Sequence, residues 1–225
     1  MRTLAILPIT SFGSAKQRLS EALGAGARQA LAQAMFSDVL GSLRRTPGID
    51  GIVVITADRT AEAAASRDRV RVLRDADQAG QSEAALIGIR HALSERCERV
   101  VLVPGDTPLV QPGELAGLVS ASRGVVIVPD RHGTGTNALV LSPPDAIAPS
   151  FGPGSFERHV AAAEAAGVPT RVEEVRTLAL DVDTPADLAE LAAELEVRRG
   201  HAPSTRGALS QLDGAGGARV AQASA

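Results

Sequence analysis

The sequence predicts a three-layer α/β/α domain built on a mixed, mostly parallel sheet. Short Val/Ile/Leu runs alternate with longer Ala/Leu/Arg segments, as strands do when crossover helices separate them. Hydrophobic residues make up 44% of the 225 residues and aromatic residues only 2%. The core is therefore aliphatic, which suits strands covered on both faces by Ala-rich helices. One pair of strand-like runs, Val125–Val128 and Ala138–Leu141, has only Asp130–Thr136 in its loop. That is too short for a crossover helix, so an antiparallel pair enters the sheet in the second half.

The expected strands, in order, are Thr3–Ile9, Gly51–Thr56, Val70–Leu73, Arg99–Pro104, Gly124–Pro129, Asn137–Leu141, Arg171–Val175 and Leu178–Val182. Expected helices are Ala27–Arg44, Ala61–Arg67, Ser82–Arg96, Gly113–Ala121, Gly154–Ala166 and Pro185–Arg198. In the first of these, Leu31, Met35, Val39 and Leu43 fall four apart and make one buried stripe. The first four strands alternate with helices and are expected to be parallel. Residues 1–199 form one domain, a size that supports a single core. Residues 200–225 are mostly Gly, Ala, Ser and Gln with scattered Arg and no apolar periodicity, the composition of a disordered tail.

Composition also excludes function classes. With no Trp or Tyr and only 2% aromatic residues, the composition argues against a reader of single-stranded nucleic acid, which needs aromatic stacking platforms. A net charge of −3 gives no general attraction to polyphosphate, so a phosphate site has to be local. One cysteine, Cys97, excludes an internal disulfide and a multi-cysteine metal site, and a buried, inert thiol is expected there. The four histidines lack metal-ligand spacing. No segment has the pattern of a signal peptide or the apolar length to span a bilayer; a soluble, cytoplasmic chain is expected.

Ligands of a doubly wound sheet sit beyond the carboxyl ends of its strands, which directs attention to four loops. After the first strand, Thr10–Leu19 carries small residues and then Lys16 and Arg18. Exposed amides with a point charge and a bidentate fork can wrap a triphosphate, although the P-loop spacing is absent and, alone, the segment reads equally as a polar connection. After the fourth strand, Gly105-Asp106-Thr107-Pro108 sets a carboxylate where a hard cation such as magnesium can take it. Asp130–Asn137 collects Gly, Thr and Arg, and Phe151–Phe156 leads into a helix that Ser155 can cap or whose amides can hold an anion. Finally, Asp181-Val182-Asp183-Thr184-Pro185 ends a strand and opens a helix, with Pro185 suited to the first turn. A cap by Thr184 or Asp183 accounts for one acid. It leaves Asp181, which pairs with Asp106 as a magnesium site.

Together these loops resemble the phosphoenolpyruvate and 2-phospho-L-lactate guanylyltransferases of coenzyme F-420 biosynthesis, within the nucleotidyltransferases of glycosyltransferase-A-like fold. The resemblance runs from about Leu4 to Leu191. Its specific part is Asp130-Arg131-His132-Gly133-Thr134-Gly135-Thr136 followed by Phe151-Gly152-Pro153-Gly154-Ser155. It implies transfer of GMP from GTP to phosphoenolpyruvate, or to 2-phospho-L-lactate, with loss of pyrophosphate. Thr136, Gly152 and Ser155 match positions that hold the phosphorylated acid, Asp106 and Asp181 match magnesium ligands, and Lys16 and Arg18 match the triphosphate loop. One departure is that Gln81 stands where members often carry Asn near the nucleotide. High Ala/Arg/Gly usage resembles a high-GC bacterium, where the resemblance favours phosphoenolpyruvate. A nucleotide-sugar glycosyltransferase and a non-catalytic nucleotide-binding module are the competing classes. The former usually carries Asp-x-Asp after a mid-chain strand, whereas here Asp181-Val182-Asp183 lies near the end.

Overall fold

The computed structural model describes residues 1–13, 16–120 and 123–212. Ser14 and Ala15 of the first loop, Ala121 at the expected end of the fourth helix, and the tail residues 213–225 lie outside the described residues. Seven strands form one sheet: β1 (Thr3–Ile9), β2 (Gly51–Thr56), β3 (Arg71–Arg74), β4 (Arg99–Leu102), β5 (Gly124–Pro129), β6 (Thr136–Ser142) and β7 (Thr170–Val172). Their order across the sheet is β3-β2-β1-β4-β6-β5-β7. β3, β2, β1 and β4 are mutually parallel, and β6 runs antiparallel to both β4 and β5. The short Asp130–Thr136 connection thus closes a hairpin, as its length dictates.

The helices are α1 (Ala25–Arg44), α2 (Arg59–Arg67), α3 (Gln81–Ser94), α4 (Pro112–Val119), α5 (Ser155–Ala165), α6 (Arg176–Ala179) and α7 (Pro185–Val197). Alternate strand residues face opposite ways. Ala5, Leu7 and Ile9 pack on Phe36, Val39 and Leu43 of α1 together with α2 and α4. Leu4 and Ile6 pack on Ala85 and Ile89 of α3, in a cluster that α5 also joins. A Cβ at Gly88 would lie 2.5 Å from the Ile6 side chain, so glycine lets α3 press against the central strand. Leu31 and Met35 do not share the stripe's sheet-facing role. They turn outward into a third cluster with Leu191 and Leu195 of α7, and α1 is buried between the sheet and a further helical layer. No helix among the described residues is long and apolar enough to cross a membrane.

Two sequence expectations are corrected. Leu178–Val182 is not a strand: Arg176–Ala179 is one helical turn. The Asn137 side-chain amide donates to the carbonyls of Leu178 (2.8 Å) and Ala179 (3.3 Å), and the Val182 amide donates to the Asp106 carbonyl. These backbone groups are satisfied by a side chain and a loop, leaving no ladder to form. The tail expected to be disordered from Gly200 is helical over residues 203–212 (α8). Its start is held by Asp38 of α1, whose carboxylate accepts from the amides of Ser204 (3.1 Å) and Thr205 (2.8 Å) and from the Thr205 hydroxyl (2.7 Å). Ala202 and Leu209 join the third apolar cluster. A polar anchor from another helix, rather than apolar periodicity, orders this segment.

Candidate active site

The chain runs outward from β1 through β2 to β3 and then returns to β4 on the other side of β1. This reversal opens a crevice between the carboxyl ends of β1 and β4, the place where such sheets bind ligands. Gly105 follows β4 where its neighbour is very close: a Cβ there would lie 2.4 Å from Ile9 Cδ1. The next residue, Asp106, thereby reaches the crevice.

Two cavities meet at this point. The first, about 300 Å³, is walled by Pro8, Phe12, Ala32 and Met35 and edged by Thr10 and Ser11. The second, about 480 Å³, lies over the β5–β6 hairpin and the loop before α5, and includes Arg18, Thr136, Gly152 and Ser155. Gln81, Pro104, Asp106 and Asp183 line both.

At the junction the Lys16 ammonium lies 2.5 Å from Asp106 Oδ2 and 2.8 Å from Asp183 Oδ1. Lys16 holds a left-handed backbone, φ 59°, and its side chain is buried. Burial alone would lower its pKa, but the two carboxylates outweigh it and raise the pKa above the ordinary lysine value. Arg18, in contrast, is exposed, 3.9 Å from Asp183. Asp181 does not join Lys16. Burial first, and then the Asp106 charge, push its carboxyl above the usual range, and the Asn137 amide bonds its Oδ1 at 3.0 Å. Asp106 Oδ1 is buried with no hydrogen-bond partner among the described residues. The cluster is thus short of positive charge, and its donors are all carboxylate oxygens, which fits a hard divalent cation. Among the described residues no group of three His, Cys, Asp or Glu side chains could hold a metal ion by itself. The rest of a magnesium shell would come from water and substrate phosphate, as is usual for that ion.

The capping reading resolves in favour of Thr184, which accepts from the Asp187 amide while Asp187 returns a carboxylate to the Asp183 and Thr184 amides. Asp187 also pairs with Arg131, so that guanidinium is committed to α7. The hairpin loop winds around Asp130, which accepts from the amides of His132 and Thr134 and from the Thr134 hydroxyl. Ser155 is not the α5 cap: Gly154, in the left-handed region, holds that position. The Ser155 and Phe156 amides donate to the carbonyls of Gly152 and Thr134, so two donors of the expected anion-binding helix start are used within the fold.

Three positioning groups were not legible. Asp58 caps α2 with Oδ1, accepting from Thr60 (2.7 Å) and Ala61 (3.1 Å). Its Oδ2 holds the first loop through the Phe12 amide (2.9 Å) and the Ser11 hydroxyl (3.2 Å). Asn137 pins the Asp181 segment, and His159 contacts Thr136. Of these only Asp58 left a signal, an acid just before a helix. Cys97 is buried, and burial pushes its thiol up, in keeping with an inert thiol.

Residues 3–200 match the family model described as "Guanylyl transferase CofC like". A phosphoenolpyruvate guanylyltransferase of Conexibacter woesei is 48% identical over 216 residues, covering 94% of this chain and 97% of that protein. A 2-phospho-L-lactate guanylyltransferase of Methanothermobacter thermautotrophicus is 34% identical over 196 residues, covering 85% and 84%. Among solved structures, one from Desulfovibrio desulfuricans G20, ascribed to nucleotide-diphospho-sugar transferases, has a TM-score of 0.78 at 18% identity and covers 95% of this chain and 96% of its own. A nucleotidyl transferase from Methanothermobacter has a TM-score of 0.66 at 19% identity, covering 88% and 99%. These structural likenesses show the nucleotidyltransferase-type fold.

Proposed function

The chain belongs to the CofC-like guanylyl transferase family, and from that premise we propose that it transfers GMP from GTP to phosphoenolpyruvate, releasing pyrophosphate, as a step of coenzyme F-420 biosynthesis. The observation that carries this is the pair of cavities joined at Lys16, Asp106 and Asp183. The first, with an apolar wall and polar edge, suits a purine nucleoside, and the second suits a small phosphorylated acid. The junction is then where the triphosphate meets its acceptor.

In the reaction an acceptor phosphate oxygen forms a bond to the α-phosphorus of GTP while the α–β bridging bond breaks and pyrophosphate leaves. A phosphate is already ionised near neutral pH, so no general base is required, in accord with a site lined by carboxylates, Lys16 and Arg18. Positioning and charge neutralisation supply the rate. Lys16 and Arg18 offer donors to the triphosphate. Thr136, Gly152 and Ser155 line the acceptor cavity. Asp106 and Asp181 would hold magnesium, which when bound offsets the phosphate charge. Phosphoenolpyruvate is favoured over 2-phospho-L-lactate by the relative at 48% identity. A cytoplasmic location is part of this proposal, since GTP and phosphoenolpyruvate are cytoplasmic metabolites, and the proposed reaction requires neither a nucleic acid nor a membrane.

The test is incubation with GTP, magnesium and each acid, with mass spectrometry of products and a pyrophosphate-release assay. A GMP adduct of phosphoenolpyruvate is expected; pyrophosphate release without an adduct would refute the acceptor. Thr136→Val should raise the phosphoenolpyruvate KM by a factor corresponding to ~1–2 kcal/mol, a lost hydrogen bond to a charged group, with GTP binding unchanged. Lys16→Ala should weaken GTP binding most. Equal effects of Thr136→Val on both ligands would contradict the division into two pockets.

A further inference from the structure

The acceptor cavity has a second wall behind Thr136. His159 of α5 is fully buried. Its Nδ1 lies 2.9 Å from Thr136 Oγ1, and its Nε2 lies 2.8 Å from the Ser150 amide nitrogen. A backbone amide can only donate, so Nε2 must present its lone pair. The ring's proton then sits on Nδ1 and points at the Thr136 oxygen. With that oxygen accepting from behind, the hydroxyl's own hydrogen is turned away from His159. Thr136 lines the second cavity, so that hydrogen is free for a group bound there.

We propose that His159 is a positioning residue that makes Thr136 an obligate hydrogen-bond donor to an anionic oxygen of the acceptor. This rests on the assignment of the second cavity to the phosphorylated acid. The opposite tautomer would force Thr136 to donate to Nδ1 and turn its lone pairs toward an anion. The relay Ser150 amide to imidazole to hydroxyl runs in one direction, and each donor polarises the next in a dry environment. The ring is locked from its sides as well. The Phe151 ring meets it edge-on, with centroids 5.3 Å apart, and Arg158 ties the loop by donating to the Ser150 and Phe151 carbonyls. Burial, and then the Arg158 charge, lower the imidazole pKa to about 4, which keeps the ring neutral at physiological pH. The same histidine therefore holds the loop that leads to Gly152 and Ser155 and sets the donor opposite them.

The experiment is ¹⁵N-histidine NMR on the full chain at neutral pH, with the His159 signals identified by their loss in His159→Gln. Nδ1 is expected protonated and Nε2 unprotonated, and saturating phosphoenolpyruvate should shift Nδ1. A protonated Nε2, or an imidazolium, overturns the proposal whatever the kinetics show. Kinetics supply a second readout. His159→Gln can accept from Ser150 but offers nothing to Thr136. His159→Asn places an amide donor near the Nδ1 position. The phosphoenolpyruvate KM should rise about 10-fold in the glutamine variant, the scale of one hydrogen bond to a charged group. The asparagine variant should recover most of the loss, and the GTP KM should hold in both. If wild type turns over phosphoenolpyruvate while its His159 nitrogens stay fixed and His159→Gln keeps its KM, the relay is overturned and the acceptor assignment stands. If wild type makes no adduct with either acid, the acceptor assignment falls and takes this proposal with it.

Discussion

Asp181 shows at one residue how the site trades stability for a binding function. Its carboxylate is buried beside Asp106, and both effects disfavour ionisation. In the ligand-free chain the ionised form is therefore destabilising. Asp181→Asn removes that charge at constant volume, and the new amide oxygen can still accept from Asn137. In chelator, the variant is expected to melt about 2–4 °C higher at neutral pH, the shift that ~1 kcal/mol produces in a chain of this size. The sign of the pH dependence follows from a raised folded-state pKa: protonation relieves wild type as pH falls through it, so the gap should narrow in acid. Magnesium should raise the melting temperature of wild type and leave the variant unmoved, while guanylyl transfer is lost. A variant no more stable than wild type in chelator would mean that Asp181 carries no charge strain. The pair Asp181 and Asp183 stood out in the sequence, but the cap is Thr184, so capping does not by itself single out Asp181. Its environment was not legible, since Asn137 lies 44 positions away and nothing local announces the contact.

At the scale of elements, the start of α2 and the first loop form one unit through Asp58, whose two oxygens have separate tasks. Asp58→Ala should cost about 0.5–2 kcal/mol, as loss of an N-cap does, and should raise the GTP KM because the Ser11–Phe12 backbone is released. Serine caps helices well but its hydroxyl is too short to serve both sides. Asp58→Ser should thus recover the melting temperature and keep the raised GTP KM, a split read by thermal melts beside nucleotide titrations. Recovery of both would show that the loop does not depend on the carboxylate. Sequence reading succeeded for elements whose signal is local. The bounds of β1, β2 and β5 agree with the aliphatic runs that marked them, and Pro185 opens α7 behind its Thr184 cap. It failed at Leu178–Val182 because an apolar run reads as a strand only if a neighbouring strand edge takes its backbone. Here the Asn137 side chain takes the carbonyls first.

For the molecule as a whole, the order of connections fixes where the site lies, and the last described helix bears on it from the far side of α1. Strand alternation made the parallel half legible and loop length gave the hairpin, but the switch point between β1 and β4 was not legible, because periodicity marks strands without ordering them across the sheet. The segment after Gly200 escaped because its order comes from a distant acid. Asp38 is buried and accepts from three donors of residues 204 and 205, while among the described residues Ala202 and Leu209 add apolar contact. Ordering the backbone costs ~1–2 kcal/mol per residue, which offsets most of what these contacts contribute, so the docked segment is only modestly stabilising. Removing the chain from Gly200 onward is expected to lower the melting temperature by about 2–4 °C, equivalent to ~1 kcal/mol at this size. Asp38→Ala should produce a similar drop in the full chain and little further loss in the shortened one, because the carboxylate has no partner left to lose. Equal losses in both backgrounds would show that Asp38 does not anchor the segment. Met35 packs in the same third cluster as Ala202 and Leu209 and also lines the first cavity. Truncation should consequently raise the GTP KM and leave the phosphoenolpyruvate KM in place, since the acceptor loops hang from β6 and α5 on the other side of Asp106.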